Sequence, residues 1–144
     1  MLLPIAACQP AEALGPSPAG LEQSRVSVTT AGGKKRRFVV EIADTPEQQS
    51  YGLMNRQSLE PNRGMIFPYD PPQPVSFWMK NTYIPLDIIF IAPGGRVSRI
   101  EENTVPLSLE PVVSTEPVEA VLEIAGGRSA ELGIAAGDRV DWRE

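Results

Sequence analysis

The 144-residue chain contains no histidine and a single cysteine, Cys8. Without imidazole there can be no Ser-His-Asp or Cys-His nucleophile, no His-ligated zinc or copper and no histidine acid-base chemistry. One thiol forbids an internal disulfide. These gaps point away from an enzyme, and no cofactor is implied. The length suits one domain with a tail, and a chain of this mass buries enough surface to fold without a staple.

Positive charge is also scarce. Lys and Arg balance Asp and Glu in residues 1–72 but number 6 against 11 in residues 73–144, which hold the whole net charge of −5. Such a balance argues against nucleic acid as a partner. The one basic run, Lys34-Lys35-Arg36-Arg37, follows Ala31-Gly32-Gly33 and reads as a solvated hairpin tip.

The N-terminal MLLPIAAC is too short to span a bilayer, which takes about 20 apolar residues. Ile5-Ala6-Ala7-Cys8 resembles a bacterial lipobox, in which the cysteine carries lipid, and so suggests an exported protein with a membrane tether at Cys8. Residues 1–24 therefore read as a signal remnant followed by a Pro- and Ala-rich flexible tether, and residues 25–144 as one globular domain.

Within that domain, Val26/Val28 and Phe38/Val40/Ile42 alternate on either side of AGGK, as in a hairpin. Thr45, Pro46 and Gln48 form a capping-box start for a short helix running to Met54. Five prolines between Pro61 and Pro74 predict a loop, interrupted only by Met65-Ile66-Phe67. Strands are expected over Val75–Lys80, Leu86–Ile91, Val97–Ile100, Val118–Ile124 and Arg139–Trp142, with a helical turn at Ser129–Leu132. Short strands without a βαβ rhythm predict a mainly β (α+β) fold, an antiparallel sheet curled into a small barrel or sandwich with one or two short helices.

The rare side chains gather between Tyr51 and Asp87. The strings YGLMNR (51–56), RGMIFPYD (63–70) and FWMKNTYIPLDIIFI (77–91), with VLEIAGG (121–127) and GDRV (137–140), resemble the family catalogued as domain of unknown function 192. That resemblance implies a small, largely β domain of bacteria and archaea, often exported, with no activity attached.

Read on their own physics, Val75, Phe77 and Met79 face the core while Trp78 and Lys80 share the opposite face with Asn81 beyond. An aromatic plate beside a cation and an amide suits a sugar ring or small anion; equally, Trp78 could be a packing residue covered by the Lys80 stem. Asp87 sits inside an apolar run and needs Lys80, Arg56 or backbone N–H groups of the Asn81–Pro85 turn as partners. Glu123 is expected to face water from an alternating strand. Met54, Met65 and Met79 with Trp78 offer a soft copper(I) set. Asp87 and Glu123 could form a glycosidase-like carboxylate pair, and Ser76 and Lys80 stand about 13 Å apart by strand rise, too far for a nucleophile and its base. The resulting expectation is an envelope module that binds a glycan or small polar ligand through Arg56, Trp78, Lys80, Asn81 and Asp87, floored by Met54 and Met79 and overhung by residues 61–74. The alternative is a structural module with the motif as its core.

Overall fold

A computed structural model describes residues 12–143. The Cys8 lipidation expectation lies outside those residues. Strands β1 (Gln23–Thr29) and β2 (Lys35–Ile42) form the expected hairpin, with Thr29 opposite Lys35 across the turn. Helix α1 (Pro46–Tyr51) carries the capping box: Thr45 accepts from the Gln48 amide, and the Gln48 side chain answers the Thr45 amide. It stops short of Met54 because Gly52 takes a φ of 50°.

Strands β3 (Arg63–Gln73), β5 (Leu86–Ala92), β6 (Arg96–Glu101), β8 (Val118–Ala125) and β9 (Arg139–Asp141) complete a closed barrel in the order β1-β2-β3-β8-β5-β6-β9. Strands β4 (Ser76–Phe77) and β7 (Val112–Val113) pair separately, and helix α2 (Arg128–Leu132) follows β8. No helix among the described residues is long and apolar enough to cross a membrane.

Two expectations change. The proline-rich stretch is strand β3 rather than a loop, parallel to β2 over Arg63–Ile66 and antiparallel to β8 from Gly64 to Pro68. Its prolines begin where β2 has ended, so a missing N–H removes no ladder bond on that side. The parallel pair also means that residues 43–62, including α1, form a crossover within the otherwise antiparallel sheet. Second, Val75–Lys80 shortens to the two-residue β4, although its alternation survives: Val75, Phe77 and Met79 point inward while Ser76, Trp78 and Lys80 are exposed.

The apolar residues divide into two layers. Val26, Val28, Phe38, Val40, Ile66, Ile89, Ile91, Leu122 and Ile124 fill the barrel interior. Met65, Phe67, Leu86, Ile88, Phe90 and Val121 lie on the other face of β3, β5 and β8, covered by Leu53, Met79 and Phe77 from the crossover and β4 region. Central strands covered on both sides read as continuous apolar runs, which is why all seven residues of β5 are buried.

Residues ahead of β1 are held against this frame as well. Ser17 is buried and donates to Glu41 at 2.7 Å, and Leu21 packs on the outer layer.

Candidate functional site

The outer layer opens into a cleft of about 420 Å³, within the size range of small-molecule sites. One wall is α1 and the turn after it, contributing Gln49, Tyr51, Leu53 and Met54; the other is β4 and its continuation, with Ser76, Phe77 and Trp78. Phe67 and Tyr69 of β3, Leu86 of β5 and Glu123 of β8 form the floor. The register explains the arrangement, because Glu123 lies opposite Met65 on one side and Ile88 on the other, placing it on the outer face of the sheet.

The walls are rigidly held. Phe77 stands edge-on to Phe67 at 5.1 Å between centroids and to Phe90 at 6.2 Å. The Gln49 amide donates to the carbonyls of Ala43 and Pro68, tying α1 to β3. Asn55 donates to the Tyr51 hydroxyl, and Thr82 donates to the Lys80 carbonyl. At the floor, Gly64 lets β3 and β8 approach closely: a Cβ there would lie 2.3 Å from the Glu123 carbonyl oxygen.

Glu123 is 5% exposed, and none of the hydrogen bonds among the described residues uses its carboxyl. Burial pushes its pKa up from 4.5 to about 8, so the acid is mostly neutral at pH 7 in the free protein. Burial, and then the nearby Glu123 charge, also raise the Tyr69 phenol above its ordinary value.

The family model for DUF192, described as an uncharacterized ACR, matches residues 27–142. The chain belongs to the DUF192 family. It is similar to a protein of unknown function from Novosphingobium aromaticivorans DSM 12444 at 45% identity, covering 92% of this chain and 94% of that one, with a TM-score of 0.88. It is also similar to a protein from Sinorhizobium meliloti 1021 provisionally named a transcription regulator, at 43% identity, covering 85% and 95% of the two chains, with a TM-score of 0.83. No curated protein matches it.

Within this DUF192 chain, the residues singled out from sequence fall into separate places. Trp78 is 49% exposed and lines the cleft, and the Lys80 ammonium lies 5.1 Å from its ring centroid. Asn81 is exposed in the following turn with a φ of 52°, its carbonyl accepting from the Asn55 amide. Arg56 pairs with Glu41, away from Asp87. Asp87 itself is fully buried and braces the backbone: Oδ1 accepts from the amides of Asn103 (2.9 Å) and Gly127 (3.0 Å), and Oδ2 from Ser129 (2.8 Å). These donors replace the expected Lys80, Arg56 or Asn81–Pro85 turn.

The carboxylate pair is corrected by the same register. Asp87 lies opposite Ile124 of the barrel interior, whereas Glu123 lies opposite Ile88 of the outer layer, so the two acids are on opposite faces of the sheet and cannot flank one bond. Of the methionines proposed for copper, Met65 and Met79 are packed in the outer core and Met54 alone lines the cleft. Among the described residues, no cluster of three His, Cys, Asp or Glu side chains could hold a metal ion.

Sequence reading missed Glu123, Tyr69, Phe77 and Tyr51 as cleft residues. The expectation that Glu123 faces water is wrong because β8 is covered on both sides. The sign was available in Val121-Leu122-Glu123-Ile124, where both strand parities are apolar.

Proposed function

We propose that this DUF192 chain is a cell-envelope binding module that takes a small polar ligand or glycan unit in the cleft between α1 and β4. The observation that carries the reading is Trp78: it stands half-exposed on the rim of a concavity, beside core neighbours Phe77 and Met79 that turn the other way. A module built only for stability gains little from an indole in water above a buried acid that lacks a partner. Envelope placement is supported by the lipobox-like Ile5–Cys8 and is tested by radiolabelled palmitate incorporation into the parent and Cys8→Ala chains. The regulator name of the Sinorhizobium relative carries no DNA-binding reading here, since the net charge is −5 and the second half is acidic.

Acrylamide quenching of full-length protein carrying Trp142→Phe tests the site. Free Trp78 is expected to quench efficiently, and saturation with a cleft ligand to protect it. N-acetylglucosamine, glucose, spermidine and ethanolamine make the first panel. A blue-shifted, poorly quenched indole in the free protein would overturn the reading.

A further inference from the structure

The cleft's chemistry narrows what it can hold. Its lining includes five aromatic side chains, Tyr51, Phe67, Tyr69, Phe77 and Trp78, with no lysine or arginine and with one acid, Glu123. Its other polar groups are the Tyr51 and Tyr69 phenols and the hydroxyls of Ser50 and Ser76, since the Gln49 amide donors and the Thr82 hydroxyl are spent on backbone carbonyls. Such hydroxyls also suit a sugar, whereas the absence of lysine and arginine disfavours an anion. A cationic group meets the opposite situation, because aromatic rings attract it and a carboxyl waits at the floor without a partner. The protein already makes one such contact on its surface, where Lys80 stands over Trp78.

We propose that the cleft binds organic amines, with the ligand's protonated ammonium group paired to Glu123 and enclosed by the aromatic walls. This inference rests on the binding-module reading and specifies its ligand class. Binding is coupled to a proton. Glu123 in the free protein holds its proton at pH 7; the ammonium N–H donates to the carboxylate, so the carboxyl proton leaves to solvent as the pair forms. The groups facing Glu123 are the Tyr69 phenol on β3 and the apolar Met65 and Ile88 across the ladders, with the Tyr51 phenol on the α1 wall. Burial raises the Tyr69 phenol, which stays neutral across the range in which Glu123 titrates.

The test uses full-length protein with Trp142→Phe, titrated with spermidine and, for comparison, with N-acetylglucosamine, following Trp78 emission and, in weakly buffered solution free of amine buffers, the protons released. Spermidine is expected to bind at least tenfold more tightly than the sugar. It should release more protons at pH 7, where the free Glu123 holds its proton, than at pH 9. Glu123→Gln keeps the neutral shape of the side chain, so it is expected to fold, to weaken spermidine at least tenfold and to abolish proton release. If spermidine binds Glu123→Gln as tightly as the parent, the acidic surface holds it and the amine inference is overturned. If N-acetylglucosamine perturbs Trp78 and spermidine does not, the amine inference falls while the binding cleft stands. If neither perturbs it, both fall.

Discussion

The backbone amide of Ser129 donates to the Asp87 carboxylate at 2.8 Å, tying the first turn of α2 to a fully buried acid on β5. The same carboxylate holds the amides of Asn103 and Gly127, so the β6–β7 connection and the start of α2 meet on one side chain of β5. Asp87→Asn keeps the size but turns an amide NH₂ toward amide donors. A stability loss of about 2–4 kcal/mol is expected in urea unfolding at pH 7, since hydrogen bonds to a charged acceptor are lost and buried donors left over. A variant as stable as the parent would show that the brace contributes nothing.

Trp78→Ala should behave differently despite lying nine residues away. With the indole 49% exposed, truncation leaves little cavity, and a loss below about 1.5 kcal/mol is expected, against about 3–5 kcal/mol for a buried tryptophan. Thermal denaturation of the variant distinguishes the two.

Glu123 makes the protein less stable as pH rises. Its folded pKa of about 8 lies above the ordinary 4.5, so the unfolded chain gives up this proton first. The contribution is fully present below pH 4.5, falls through the interval up to about pH 8 by several kcal/mol in total, and is level above it. Urea midpoints of parent and Glu123→Gln should therefore diverge with rising pH, the variant being the more stable at pH 9. Parallel curves would refute the buried neutral acid.

Glu41 has the opposite sign. Burial works to raise its pKa, but hydrogen bonds from Arg56 and Ser17, with the charges of Arg56 and Arg63, outweigh it and hold the carboxyl below 4.5. Its stabilising contribution is present above pH 4.5 and disappears as pH falls through the lower folded value. Arg56→Ala is expected to cost about 1–3 kcal/mol at pH 7 and less at pH 3. Because Ser17 shares Glu41, the variant should also speed proteolysis between residues 12 and 22, read by mass spectrometry.

The parts of the fold legible in the sequence were those governed by local signals. Thr45, Pro46 and Gln48 announce α1, the AGGK turn announces the β1–β2 hairpin, and the 75–80 alternation separates Phe77 from Trp78 correctly. The parts not legible depend on what a strand meets on its second face. Proline density predicts a loop over 61–74 only if both edges of the segment need donors, and β3 has lost its β2 neighbour by Pro68. Glu123 looks solvated until the crossover and β4 are laid over β8. Asp87 could be recognised as needing partners, yet amides from Asn103, Gly127 and Ser129 come together only through the barrel.

Barrel closure joins Val28 of β1 to Val140 of β9, across nearly the full described chain. During synthesis, the exposed edge of β1 has no partner until residues 139–141 have left the ribosome, and contacts of such sequence separation form slowly. The parallel β2–β3 pair adds a second requirement, since its crossover must be traversed before the outer layer has a sheet to cover. A nascent or nicked chain lacking β9 therefore presents an open β1 edge, whereas every residue lining the cleft lies between Pro46 and Glu123, ahead of that last seam.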